Sequence, residues 1–139
     1  RHGYPMSFMM IDVDSFKSYN DKFGHPEGDK ALQIVAQELK ATLRGADVAA
    51  RYGGEEFSIL LPQTTLKEAL TIAERIRARI EKTEFPSRQV TISVGIAACS
   101  SELQSAATII EAADKALYQA KENGRNNVQI YNKNGESAD

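Results

Sequence analysis

The chain has 139 residues, 42% of them hydrophobic and 26% charged, the balance of one ordinary globular domain able to bury a core without disulfide or metal staples. Its net charge of −2 excludes the broad positive field that a nucleic-acid backbone or an anionic membrane surface attracts, although local charge can still bind a nucleotide. One cysteine, Cys99, excludes an internal disulfide, and its neighbours Gly95 to Ala98 predict a buried thiol.

In chain order, Ser7 to Ile11 is a continuous apolar run ending in Asp12-Val13-Asp14, the pattern of a strand covered on both faces. Ser15 to Phe23 reads as a short helix closed by Gly24. Pro26-Glu27-Gly28-Asp29 opens a longer one, with Leu32, Val35, Ala36, Leu39 and Leu43 at helical spacing. Asp47 to Tyr52 and Glu56 to Leu61 are strands around Gly53-Gly54. A glycine pair there signals a two-residue hairpin, because primed turns need positive φ. Pro62 to Thr65 leads into a third helix, with Leu66, Ala69, Leu70, Ala73, Ile76 and Ile80 inward and Glu68, Glu74, Arg75, Arg77 and Glu81 on a solvated face. Val90 to Ile96 is β-branched and strand-like. Ser105 to Asn123 is a fourth helix stopped by Gly124, with Ile109, Ile110, Ala113, Ala116, Leu117 and Ala120 inward. Val128 to Tyr131 is a last strand, and the polar tail 132–139 is expected to fray.

The order β-α-α-β-β-α-β-α-β predicts one α/β domain of α+β type over residues 1–139, with its core in 7–131. Its mixed, mostly antiparallel sheet of about five strands is flanked by helices, in the ferredoxin-like style of a split βαβ unit. No stretch approaches the roughly 20 apolar residues of a membrane span, and no signal peptide is visible. The chain starts at Arg1 rather than methionine, so it is expected to be a cytoplasmic piece of a longer protein whose anchor, if any, lies elsewhere.

Several residues carry chemistry. Asp12 follows five apolar residues, and a carboxylate at the edge of a core needs a partner. With Glu55 it forms a minimal oxygen set for magnesium, which takes one or two carboxylates and completes its shell with phosphate and water. Asp14 reads as the cap of the following helix. The first-turn amides of Ser15, Phe16 and Lys17 form an anion site. Lys121 and Arg125, four apart at a helix end, suit one phosphate chain, or the helix dipole alone. Asn20 and Asp29 are candidate base readers, since a carboxylate accepts from both the ring N–H and the exocyclic amine of guanine; each also suits a turn or cap. His25 reads as a loop histidine. Gly53 and Gly54 let a bulky ligand lie against backbone beside Glu55 and Glu56, and a plain surface hairpin is the bland alternative.

Seven ordered blocks carry a resemblance: Asp12 to Lys17, Asn20-Asp21, Gly24-His25, Gly28-Asp29, Arg51 to Phe57, Val90 to Gly95, and Ala113 to Lys121 continuing through Gly124-Arg125-Asn126. Together they resemble the GGDEF domain of diguanylate cyclases, which implies a nucleotidyl-cyclase-like fold that condenses two GTP into cyclic di-GMP and releases pyrophosphate. It implies a homodimer in which each subunit presents one GTP, with Mg²⁺ (or Mn²⁺) held by Asp12, Glu55 and the Val13 carbonyl. It further implies guanine at Asn20 and Asp29, nucleotide against Gly53 and Gly54, β- and γ-phosphates at Ser15, Phe16, Lys121 and Arg125, and metal or proton handling by Glu56. Glu55 stands where the family's third motif residue is Asp, and it keeps the carboxylate. Arg44-Gly45-Ala46-Asp47 resembles the family's R-x-x-D product-inhibitory site, with Arg75 as a contact from a neighbouring subunit; a local Arg–Asp pair is the alternative. The family's Asp-x-Leu-Thr-Gly-Leu stretch is not in this sequence. A non-catalytic module that binds GTP or cyclic di-GMP and signals to a partner is the competing function.

Overall fold

The computed structural model describes residues 4–100 and 105–132; the tail from 133 on, expected to fray, lies outside them. The elements are β1 (Met6–Val13), α1 (Phe16–Phe23), α2 (His25–Thr42), β2 (Val48–Arg51), β3 (Glu56–Pro62), α3 (Leu66–Lys82), β4 (Ile92–Ala98), α4 (Ala106–Glu122) and β5 (Val128–Ile130). They form one five-stranded sheet in the order β2-β3-β1-β4-β5. Every neighbouring pair is antiparallel except β4–β5, which is parallel. The expected element order and mixed sheet are therefore present.

Side chains alternate along β1, and this partitions the core. Met9, Ile11 and Val13 point to the face covered by α1, α2 and α3, where Tyr19, Leu32, Val35, Leu39, Ile76 and Ile80 join them. Met10 points to the other face and meets Ala97, Ala112, Ala113 and Leu117 under α4. Asp12 is two residues on from Met10. It therefore lies on the α4 face, 4% exposed, opposite Glu56 on β3 and Ser93 on β4.

Gly95 makes the α4 contact possible. A Cβ there would stand 2.2 Å from the Leu117 nitrogen and 2.3 Å from the Ala113 carbonyl oxygen, so the helix backbone rides directly on the strand. At the far end of α4 the Gly124 N–H bonds to the Lys121 carbonyl, and the Arg125 N–H to the Ala120 carbonyl at 3.0 Å. This pair, with Gly124 at φ 103°, is a Schellman closure. It sets Lys121 in the last turn and Arg125 just beyond it. Thr65 closes the N-terminus of α3 with a capping box to Glu68.

Four local expectations are corrected. Gly53 and Gly54 do not make a two-residue primed turn, since the positive-φ glycines among the described residues are Gly24 and Gly124. Residues 52–55 instead form a four-residue loop, in which the Tyr52 and Gly53 amides both donate to the Glu56 carbonyl and Arg51 donates to the Gly54 carbonyl at 2.6 Å. Cys99 is exposed rather than buried, because β4 ends one residue before it. His25 is the first residue of α2 rather than a loop residue. Arg77 is largely covered, bonding Glu74, Glu81 and Asn126.

Candidate active site

The C-terminal end of β1 and the β2–β3 loop meet at one end of the sheet. The Val13 N–H donates to the Glu55 carbonyl at 3.1 Å, which holds that loop against the strand. Asp12, Glu55 and Glu56 are thereby gathered at one place. The Lys121 ammonium is ion-paired with the Asp12 carboxylate, whose side chain is 5% exposed.

The electrostatics follow from three acids sharing one ammonium. Burial raises the Glu55 pKa first. The Asp12 charge and a hydrogen bond shared with its carboxyl raise it further, against partial relief from Lys121. Burial likewise pushes Glu56 up, followed by the charges of Asp12 and Asp114. Like carboxylates held together in a partly buried site disfavour one another's ionised form.

Such a donor set fits a hard divalent cation, which lets both acids ionise. Among the described residues no group of three or more His, Cys, Asp and Glu residues is arranged to hold a metal. Two carboxylates would need completion by a backbone carbonyl, such as that of Val13, and by ligand oxygens.

Beside the acids opens a cleft of about 470 Å³, lined by Phe16, Lys17, Asn20, Asp29, Arg51 and Glu55 among others. The two candidate base readers thus share a wall with Glu55. Leu32, 4% exposed, and Phe16, 6% exposed, give that wall an apolar surface suited to a base face. The Asn20 Oδ1 atom is buried without a hydrogen-bond partner. Gly54 also borders the cleft, with open space around it, and a Cβ at Gly53 would meet no atom closer than 3.7 Å. Neither backbone angle nor internal crowding requires glycine at these two positions.

Asp14 does not cap α1. The N-cap is Ser15, in the left-handed region at φ 55°, with no side-chain cap bond. Strand β1 ends at Val13, and the Asp14 N–H donates to the Thr91 carbonyl at 2.9 Å just beyond it. Its carboxylate instead accepts from Thr91 Oγ1 at 2.7 Å, Ser93 Oγ at 2.6 Å and the Asn126 N–H at 3.0 Å. Asn126 in turn accepts from Arg77 and donates to Glu81. Asp14 therefore ties the Ser15–Phe16 helix start to the turn that carries Arg125. Arg88 holds the same start from the other side, donating to the Ser15 carbonyl and Ser18 Oγ with its guanidinium over Tyr19 and Phe23. Sequence reasoning missed the roles of Asp14, Arg51 and Arg88; the Arg directly before Tyr52-Gly53-Gly54 was the one available signal, for Arg51.

Arg125 is exposed next to this turn. Arg44 and Asp47 lie elsewhere, bonded to each other. The Arg44 backbone N–H and guanidinium all donate to the Asp47 carboxylate at 2.9–3.1 Å, and the guanidinium also reaches Thr64. Burial alone would raise the Asp47 pKa, but these bonds outweigh it and hold it below the usual range. The Arg44 side chain stays 51% exposed, and Arg75 is exposed on α3.

The family described as diguanylate cyclase, GGDEF domain, matches residues 1–127. The chain is 46% identical over 133 residues to diguanylate cyclase A of Treponema denticola, covering 93% of this chain and 36% of that protein. It is 42% identical over 132 residues to the response regulator PleD of Caulobacter vibrioides, covering 91% and 29% respectively. It thus spans no more than 36% of the length of either relative. Among solved structures it is similar to the active GGEEF domain of a diguanylate cyclase from Vibrio cholerae, with a TM-score of 0.89, 36% identity and coverage of 94% and 85%. It is also similar to the GGDEF domain of DgcB from Caulobacter crescentus in complex with c-di-GMP, with a TM-score of 0.87, 32% identity and coverage of 91% and 78%.

Proposed function

The chain belongs to the GGDEF family of diguanylate cyclases, and from that membership we propose that it condenses two GTP into cyclic di-GMP with release of pyrophosphate. One observation carries the reading: Asp12, Glu55, Glu56 and Lys121 converge at the lip of a cleft whose wall holds Asn20 and Asp29. Three acids sharing one ammonium beside candidate base readers in one cleft suit a nucleoside triphosphate better than a purely structural cluster does.

In this reading Asn20 and Asp29 receive guanine, with Phe16 and Leu32 against its face. Gly53 and Gly54 let the nucleotide approach the backbone, which explains glycines that the fold itself does not require. The Ser15 and Phe16 amides, with Lys121 and Arg125, take the β- and γ-phosphate oxygens. Asp12, Glu55 and the Val13 carbonyl would hold Mg²⁺ or Mn²⁺, and Glu56 would assist with metal or proton handling. Bound there, the metal would neutralise phosphate charge and lower the pKa of the attacking hydroxyl. Two such half-sites face each other in a homodimer. The 3′-oxygen of one GTP bonds to the α-phosphorus of the other as the bond to pyrophosphate breaks, and the reciprocal step closes the ring. The protein supplies position and charge rather than covalent chemistry. The Glu at position 55 is compatible with turnover, since the similar Vibrio cholerae domain described as active is itself a GGEEF domain.

Cyclic di-GMP would inhibit through the exposed edge of the Arg44 guanidinium, with Asp47 and a neighbouring subunit's Arg75. The domain itself carries no helix long and apolar enough to cross a membrane among its described residues.

The test is incubation of the full-length protein with GTP and magnesium. Cyclic di-GMP and pyrophosphate are expected, and their absence under conditions where the protein is dimeric rules the activity out. Arg44→Ala should leave the initial rate intact and abolish the slowing as product accumulates.

A further inference from the structure

Gly28 is a residue of α2 that is buried and ordinary in backbone. Its N–H bonds to the Gly24 carbonyl at 3.1 Å, and its φ lies outside the left-handed region. Any L-residue fits such a backbone, and alanine is the better helix former. Space is what excludes a side chain. A Cβ at position 28 would lie 1.7 Å from Asn20 Oδ1, 2.9 Å from Asn20 Cγ and 3.1 Å from Phe16 Cζ. The Asn20 carboxamide, reaching over from α1, therefore occupies the volume that the missing side chain leaves.

The seated amide is incompletely bonded. Its Oδ1 is buried and has no hydrogen-bond partner, a state that native structures seldom leave unanswered. Asn20 lines the cleft together with Asp29, the residue after Gly28. Guanine offers a ring N–H and an exocyclic 2-amino group with two hydrogens. Asp29 can accept from the ring N–H and one amine hydrogen, which leaves the second hydrogen to seek another acceptor.

We propose that Gly28 is a specificity-determining positioning residue: its bare α-carbon is the seat that holds the Asn20 carboxamide where Oδ1 accepts from the 2-amino group of guanine. The inference rests on the GTP reading above. It adds that selection among purines depends on a glycine that touches no nucleotide.

The experiment is a calorimetric titration of the chain with GTP and with inosine triphosphate, which lacks only the 2-amino group. It uses the parent protein, Gly28→Ala, Asn20→Ala and the double variant. The parent should prefer GTP. Gly28→Ala should lose about tenfold in GTP affinity, the worth of one such bond, with inosine triphosphate nearly unchanged. Asn20→Ala should match it, and the double variant should be no worse than Asn20→Ala alone, because the added methyl then meets no amide. A Gly28→Ala protein that keeps the parent's preference overturns the proposal, as do effects that add in the double variant. A parent that does not distinguish the two nucleotides overturns the guanine reading itself. Should Gly28→Ala fail to fold, recovery of folding in the double variant supports the seat; failure of both overturns it, because Phe16 or the backbone would then be the obstacle.

Discussion

Gly95→Ala adds one methyl group to β4, and elsewhere such a change is often mildly stabilising because it restricts the unfolded chain. Here the sign should reverse. The new carbon would lie 2.2 Å from the Leu117 nitrogen, 2.3 Å from the Ala113 oxygen and 2.7 Å from Leu117 Cα. All three are backbone atoms, so no rotamer change relieves the contact. Ordinary contact begins near 3.4 Å, so α4 must retreat by about 1.2 Å. Overpacking of this kind costs about 1–3 kcal/mol, and a rigid obstacle belongs at the upper end. For a domain of this size that lowers Tm by about 5–15 °C.

The retreat also reaches the site. Lys121 lies one helical turn beyond Leu117, and its ammonium neutralises Asp12. A misplacement of about 1 Å in a reacting assembly can cost about a hundredfold in rate. Calorimetric melting of the chain and a cyclic di-GMP assay on the full-length protein measure the two effects separately. A Tm within about 2 °C of the parent's would show that α4 does not press on Gly95. A lowered Tm with an unchanged turnover rate would show that the docking of α4 does not position Lys121 for the reaction.

Asp14→Ala should cost about 2–4 kcal/mol in urea unfolding, because Thr91, Ser93 and the Asn126 amide lose a shared acceptor; an unchanged midpoint would refute its role as a hub. Glu55→Gln should move stability and function in opposite directions: removing a like charge beside Asp12 stabilises the metal-free chain by about 1 kcal/mol, while cyclic di-GMP formation is lost. A variant that loses both would assign Glu55 a structural role instead. The acid limb of stability should follow Glu27, Glu68, Glu81 and Asp47, whose folded pKa values lie below the ordinary 4.5 for Glu and 3.8 for Asp because of Ser87, Thr65, Asn126 and Arg44 respectively. Their contribution is complete above those ordinary values and is lost as pH falls through the lower folded ones. Glu55 and Glu56 act with the opposite sign, since a raised folded pKa costs stability as pH climbs above 4.5. Denaturation midpoints of the metal-free chain across pH would expose both limbs, and a flat profile below 4.5 would contradict the assignment.

The legible parts of this molecule are those whose cause is local. The apolar run from Ser7 to Ile11 announces a doubly covered strand, and Gly24 and Gly124 announce helix ends because both need positive φ. Asp12, Glu55, Asn20 and Asp29 stand out as candidates through motifs in a fixed order, and the fold brings Asn20, Asp29 and Glu55 to one cleft with Asp12 against Glu55. The misreadings have nonlocal causes. Asp14 reads as a cap until Thr91, Ser93 and Asn126, from 77 to 112 residues away, claim its carboxylate. Cys99 reads as buried until the end of β4 is known. The Gly53-Gly54 loop reads as a primed turn until Arg51 and the Glu56 carbonyl organise its amides and carbonyls. Gly28 and Gly95 are the extreme case, because a missing Cβ has meaning only through the atom that faces it.

Those two glycines act on opposite sides of the sheet. Gly28 belongs to the α1–α2 side and seats Asn20; Gly95 opens the other face to α4, which delivers Lys121. The ends of β1 and β3 run between them, and the Val13–Glu55 hydrogen bond keeps the acids from separating. The carboxylates are therefore confined by the same contacts that shape the cleft, and their repulsion cannot be relieved by local movement. Like charges gathered in this way raise the pKa of Glu55 and Glu56, and in the proposed reading a cation-bound nucleotide would relieve that repulsion as it binds. Binding energy and folding stability are then coupled through the same few carboxyl groups, so that substitutions which relax the free domain should be the ones that weaken its hold on the substrate.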